Sequence, residues 1–101
     1  MKVTEISVVT VCYNCIDDLK ATIKSVSRLK REDVEFVVVD GESTDGTADY
    51  LKGNSCVDVF VSEADDGIYD AMNKGVNLST GKYVIFMNAG DIFDEQLDRI
   101  P

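Results

Sequence analysis

Val34-Glu35-Phe36-Val37-Val38-Val39 runs directly into Asp40 and then into Gly41-Glu42-Ser43-Thr44-Asp45-Gly46-Thr47. A short run rich in β-branched and aromatic residues, closed by a Gly/Ser/Thr/Asp cluster, reads as a buried strand followed by a polar loop. The layout recurs at Tyr83-Val84-Ile85-Phe86-Met87, which empties into Asn88-Ala89-Gly90-Asp91. Buried strands that release polar loops at their carboxyl ends are how open α/β sheets build ligand crevices.

Working outward, Ile6–Val11 is another short apolar run and predicts a first strand, followed by Cys12-Tyr13-Asn14-Cys15. Asp17 and Asp18 open a helix whose apolar residues Ile16, Leu19, Ile23, Val26 and Leu29 recur at three- and four-residue spacing. Its basic end (Arg28, Lys30, Arg31) suits the helix dipole. A short helix is expected from about Thr47 to Lys52, stopped by Gly53-Asn54, and then a strand over Val57–Val61, near a sheet edge because Asp58 interrupts it. A helix from about Ile68 to Leu78 precedes the last strand. Strand–helix alternation of this kind predicts an α/β fold, a Rossmann-like, mostly parallel sheet flanked by helices, with right-handed crossovers. If the second and third strands lie to one side of the first and the fourth to its other side, the crevice falls between the first and fourth. Ile6, Val8, Val37, Val39, Val84 and Phe86 are the expected core.

The 101 residues are read as one unit, 1–101, with 45% apolar and 29% charged residues, a globular composition. No apolar run reaches the roughly 20 residues that cross a bilayer. Met1-Lys2-Val3-Thr4-Glu5 lacks the pattern of a signal peptide. A cytoplasmic protein is the expectation, with a parent that associates with a membrane through other regions. Net charge is −9; residues 1–40 hold six basic and seven acidic side chains, and 41–101 hold four and twelve. That balance excludes nucleic acid as a partner, which requires clustered Lys and Arg. Carboxylates at strand ends (Asp40, Glu42, Asp45, Glu63, Asp65, Asp66, Asp91) could instead hold a divalent cation that admits an anionic pyrophosphate. Three cysteines and no histidine argue against a disulfide framework and a zinc site. Cys12 and Cys15 have the spacing of a redox pair, but the lone proline is Pro101, so the cis-proline of thioredoxin-like folds is missing.

Four motifs occur in order: Val11-Cys12-Tyr13-Asn14, Asp40 with the Gly41–Thr47 loop, Asp66-Gly67-Ile68-Tyr69-Asp70-Ala71-Met72-Asn73-Lys74-Gly75, and Asn88-Ala89-Gly90-Asp91. Together they resemble the front half of a family 2 inverting glycosyltransferase of GT-A fold, from about Ile6 to Phe93, similar to enzymes of bacterial surface-polysaccharide assembly. The resemblance implies transfer of a hexose-like sugar from a nucleotide-diphospho-sugar, with a UDP-sugar the leading donor, to a hydroxyl of a saccharide or lipid-linked acceptor. It implies that Val11, Tyr13 and Asn14 line the nucleoside, with Tyr13 packing on the base. It also implies that Asp40 hydrogen-bonds uracil or ribose, and that Asn73, Lys74 and Asn88 approach ribose and diphosphate. A carboxylate suits imide N–H and ribose hydroxyl donors; the alternative for Asp40 is a strand-end cap of the Gly41–Gly46 loop. Asp66 and Gly67, at the start of the Ile68–Leu78 helix, offer amides for an anion.

Asn88-Ala89-Gly90-Asp91 stands where the family carries an Asp-x-Asp metal motif, and this chain keeps one acid there, Asp91. The implied cofactor is Mg2+ or Mn2+ held by Asp91 and phosphate oxygens, with Asp65 or Asp66 the next candidate ligands. The family's general base lies downstream of the metal motif, beyond residue 101, so no catalytic residue is assigned. Asp94–Pro101 reads as the opening of a further helix, truncated at the C-terminus. The chain alone is therefore expected to be inactive and to self-associate through an uncovered sheet edge. Two readings from other classes stand beside this one. In a receiver-like domain, Asp40 would accept a phosphoryl group, although no acidic pair follows the first strand. In a non-catalytic α/β module, the fold would persist without a ligand.

Overall fold

The computed structural model describes residues 4–29 and 31–90. Four strands, β1 (Ile6–Cys12), β2 (Val34–Asp40), β3 (Val59–Ser62) and β4 (Tyr83–Asn88), form one parallel sheet in the order β3-β2-β1-β4. Three helices connect them: α1 (Ile16–Leu29), α2 (Thr47–Lys52) and α3 (Ile68–Leu78). The winding reverses at β1, so a crevice opens between the carboxyl ends of β1 and β4.

Side-chain alternation sorts the sheet into two faces. Val8, Cys12, Phe36, Val38 and Met87 pack with Leu19, Ile23 and Val26 of α1 and Leu51 of α2. Val9 and Val39 face the other way, toward α3. There Gly75 allows a close approach: a Cβ at this position would sit 2.3 Å from Val9 Cγ1 and 3.5 Å from Val39 Cγ2. The missing side chain lets α3 seat on β1 and β2 without a gap.

At the amino-terminal rim, Glu35 receives the hydroxyl of Ser7 at 2.7 Å and the amide of Thr80 at 2.9 Å. The Gly81 amide donates to Ser7 Oγ at 2.9 Å, and Tyr83 N–H to the Glu5 carbonyl at 3.0 Å. These bonds bring the chain back beside β1 after α3.

The expected elements form, with shifted ends. β3 begins at Val59 rather than Val57, because Asp58 acts first as an anchor. Its carboxylate accepts the Phe36 amide at 2.8 Å and its own amide donates to the Phe36 carbonyl at 2.9 Å. β1, β2 and β4 each continue one residue beyond their apolar runs, to Cys12, Asp40 and Asn88. The expected core needs one correction. Val8, Val37 and Val39 are buried and Ile6 and Val84 only partly so, but Phe86 is 43% exposed. Phe86 pairs with Val9 on the α3 face, yet α3 sits over β1 and β2 and leaves edge strand β4 uncovered. Tyr83 and Ile85 are exposed along the same strand.

Candidate functional site

The loops leaving β1, β2 and β3 are tied into one rim. Gly41 N–H donates to the Cys12 carbonyl at 2.9 Å, and Glu63 N–H to the Asp40 carbonyl at 3.0 Å. Asn14 has a φ of 49°, a left-handed conformation that asparagine tolerates better than most side-chained residues. This turn aims its Oδ1 at the Thr44 amide, 2.8 Å away, while its own N–H donates to Ser43 Oγ at 2.7 Å. Asp45 binds two helix starts at once. Oδ2 accepts Ile16 N–H of α1 at 3.0 Å, and Oδ1 accepts Thr47 N–H of α2 at 3.2 Å and its hydroxyl at 2.5 Å. The Thr47 hydroxyl bond, reinforced by the Ile16 and Thr47 amides, holds the Asp45 carboxyl below the usual carboxylate range.

Asp40 has no exposed surface. It continues the Phe36–Val38 side of β2, toward α1 and α2, where its register partners are Cys12 and Ser62. Its Oδ1 accepts the Ser43 hydroxyl and the Cys12 thiol, the latter at 3.6 Å. Its Oδ2 accepts Ser62 Oγ–H at 2.7 Å and Ser43 N–H at 3.2 Å. This is the strand-end cap of the Gly41–Gly46 loop. The same arrangement leaves the carboxylate unavailable to a phosphoryl donor, which argues against the receiver-like reading. Burial, followed by the Asp40 charge, pushes the Cys12 thiol well above its ordinary range. A buried protonated thiol is a poor redox nucleophile.

On the α3 side of the rim the picture is open. Tyr13 is 64% exposed. Gly41 lies beneath it, and a Cβ there would be 3.4 Å from Tyr13 Cδ1 and 2.9 Å from Asp65 Oδ2. The structure therefore brings Tyr13, Gly41 and Asp65 together. Val11 and Asn88 are register partners at the ends of β1 and β4, and Asn88 is exposed. The loop after β4 turns back on α1: Gly90, with φ 102°, donates its amide to Thr22 Oγ1 at 2.9 Å. A Cβ at Gly90 would lie 3.5 Å from Asp18 Cγ.

Two expectations for the α3 end change. The amides of Asp66 and Gly67 are not open to an anion, because Asp70 Oδ2 accepts the first at 2.9 Å and Asp65 Oδ1 the second at 3.1 Å. The chain's own carboxylates thus take the amides of the two residues that lead into α3. Lys74 is likewise engaged: its ammonium donates to the Ala64 carbonyl at 2.8 Å and lies 3.3 Å from Glu63 and 3.6 Å from Asp70. Desolvation lowers its pKa, but the bond to Glu63 and the charges of Glu63, Asp70 and Asp65 together outweigh it and leave the group raised. Lys74 thus clasps the loop before α3. Asn73 is exposed on α3. Asp91, the expected metal ligand, lies outside the described residues. Among those residues no group of three or more His, Cys, Asp or Glu is arranged to hold a metal ion. No described helix is long and apolar enough to cross a membrane.

Ser43 and Ser62 as partners of Asp40, and Asp65 as the carboxylate beside Tyr13, were not assigned from sequence. The one local signal was a glycine, Gly41, placed directly after a strand-end acid.

A parallel α/β sheet whose winding reverses at β1 is of the open, doubly wound type. The chain belongs to glycosyl transferase family 2, whose profile matches residues 7–99. It is 39% identical over 92 residues to an uncharacterised glycosyltransferase of Mycobacterium tuberculosis, covering 87% of this chain and 34% of that protein. It is 34% identical over 90 residues to the putative teichuronic acid biosynthesis glycosyltransferase TuaG of Bacillus subtilis, covering 85% and 36%. Among solved structures it is similar to the mannosyltransferase PcManGT from Pyrobaculum calidifontis in complex with GDP-Man and Mn2+. That match has a TM-score of 0.79 at 22% identity and covers 95% of this chain and 30% of the other. Staphylococcus aureus TarS 1–349 gives a TM-score of 0.79 at 21% identity, covering 92% and 29%. These likenesses bear out the GT-A fold expected from the motifs. The chain spans about a third of the length of the curated relatives it matches.

Proposed function

We propose that this chain forms the donor-binding portion of an inverting glycosyltransferase that takes a nucleotide-diphospho-sugar, with a UDP-sugar the leading donor. The acceptor would be a hydroxyl in polysaccharide or glycolipid biosynthesis. One observation carries the reading: the exposed Tyr13 ring stands at the β1 end of the crevice, over side-chain-free Gly41 and beside the Asp65 carboxylate. An exposed aromatic face beside a hydrogen-bond acceptor is what a nucleobase requires. Val11 and Asn88 line the neighbouring strand ends, where ribose would lie. The family supports the transferase class, and the similarity to TuaG supports a surface-polymer setting.

Asp91, one position past the Gly90 turn, would hold a divalent cation together with diphosphate oxygens. Such ions accept a small protein ligand set when substrate phosphates complete it. The cation would neutralise the departing diphosphate. The base that deprotonates the acceptor would come from beyond residue 101, so the chain alone would bind donor without turnover. General-base loss typically costs about 10²–10⁴-fold. Exposed Tyr83, Ile85 and Phe86 on β4 would drive self-association of the isolated chain.

The test is calorimetric titration with UDP, GDP and dTDP, each with and without Mn2+. Saturable binding of one nucleotide supports the reading. Failure of all three to bind a folded chain would return it to a non-catalytic α/β module.

A further inference from the structure

The nucleoside reading leaves open which carboxylate senses the base, and the two candidates lie on opposite sides of the sheet. Asp40 points toward α1 and α2, is fully buried, and has both oxygens engaged by Ser43, Ser62 and Cys12. A base cannot reach it without dismantling that cluster. Asp65 is half-buried at the crevice rim. Gly67 N–H holds its Oδ1 at 3.1 Å, and this directs Oδ2 over Gly41, to within 2.9 Å of where a Cβ would stand. The same virtual Cβ is 3.4 Å from the Tyr13 ring. The space that a side chain at position 41 would take is thus occupied from β3's loop by a carboxylate, next to the exposed aromatic.

We propose that Asp65, and not Asp40, is the residue that selects the nucleobase, by accepting the imide N–H of a uracil- or thymine-type base packed on Tyr13. A carboxylate only accepts hydrogen bonds. It therefore favours a base edge carrying N–H and disfavours cytosine, whose ring nitrogen at that place presents a lone pair. Gly41 is the permissive half of the device, because any larger residue would displace Oδ2.

This inference rests on the nucleotide-binding reading, and the experiment separates the two. The full chain, Asp65→Asn and Gly41→Ala are titrated with UDP and with CDP, and circular dichroism monitors folding in parallel. The parent chain should prefer UDP over CDP by roughly tenfold or more, the size expected of one hydrogen bond to a charged group. Asp65→Asn should lose that preference, since its amide can donate to the cytosine ring nitrogen while its oxygen still accepts Gly67 N–H. Gly41→Ala, which leaves Asp65 in place but crowds Oδ2, should shrink the preference as well, and it decides the matter if Asp65→Asn does not fold. An unchanged UDP-to-CDP ratio in the folded variants overturns the role of Asp65 and leaves the nucleotide reading intact. A parent chain that binds neither nucleotide overturns both.

Discussion

Removing the Asp40 carboxylate should strike stability far more than ligand affinity. In Asp40→Ala, Ser43 N–H, Ser43 Oγ–H and Ser62 Oγ–H lose an acceptor that is itself fully buried, and the Cys12 thiol loses a weaker contact. A buried donor left without a partner costs about 1–3 kcal/mol. Ser62 is exposed and Ser43 half-buried, so water takes over part of what is lost; the low end of that range for each of the three donors gives a total of about 3 kcal/mol. Small domains have only about 5–15 kcal/mol in all. With a urea m-value of about 1.5 kcal/mol per molar, the midpoint should fall by about 2 M. Ser62→Ala removes one of these bonds and should lower it by about a third as much. The assay is urea unfolding followed by circular dichroism, with UDP titration below the transition on the same samples. A midpoint equal to that of the parent, accompanied by a tenfold or greater loss of UDP affinity, would refute the assignment of Asp40 as a cap and return it to the nucleoside.

Three further outcomes are expected. Gly75→Ala places a methyl 2.3 Å from Val9 Cγ1; overpacking of about 1–3 kcal/mol should exceed the helix-propensity gain of about 1 kcal/mol. Its thermal midpoint should therefore fall and recover when Val9→Ala is added; a rise in the single variant would show slack under α3. Asp45, whose folded carboxyl is held below its ordinary 3.8, should stabilise the fold fully above that pH and lose its contribution as pH falls through the lowered folded value. The stability difference between the parent and Asp45→Asn should thus narrow as pH falls below about 3.8 and close below the lowered folded value, and a gap that stays constant throughout that acid range would contradict the carboxylate's role as a double helix cap. Asp91→Ala should abolish any Mn2+ enhancement of UDP binding while metal-free binding persists; survival of the enhancement would move the cation to another ligand.

The α/β order, the parallel sheet and the position of the crevice were legible in the chain itself. Ile6–Val11, Val34–Val39 and Tyr83–Met87 are apolar runs too short for helices, and the Ile16–Val26 stripe has helical period, so local chemistry dictates each element. Strand ends were less legible, because hydrogen bonds between distant segments set them. Asp58 anchors on Phe36 and thereby delays β3, a pairing across 22 positions that no local pattern contains. The carboxylates show the same division most plainly. Asp40, Asp65 and Asp66 are alike as strand-end acids in the sequence. Only the folded sheet turns Asp40 inward onto Ser43 and Ser62, joins Asp65 to Tyr13 across Gly41, and closes the Asp66 amide with Asp70. Sequence period assigns a residue to a strand or helix through its neighbours along the chain. Which acid meets solvent, a hydroxyl or a ligand depends on residues tens of positions away, and that is settled when β1, β2, β3 and α3 pack together.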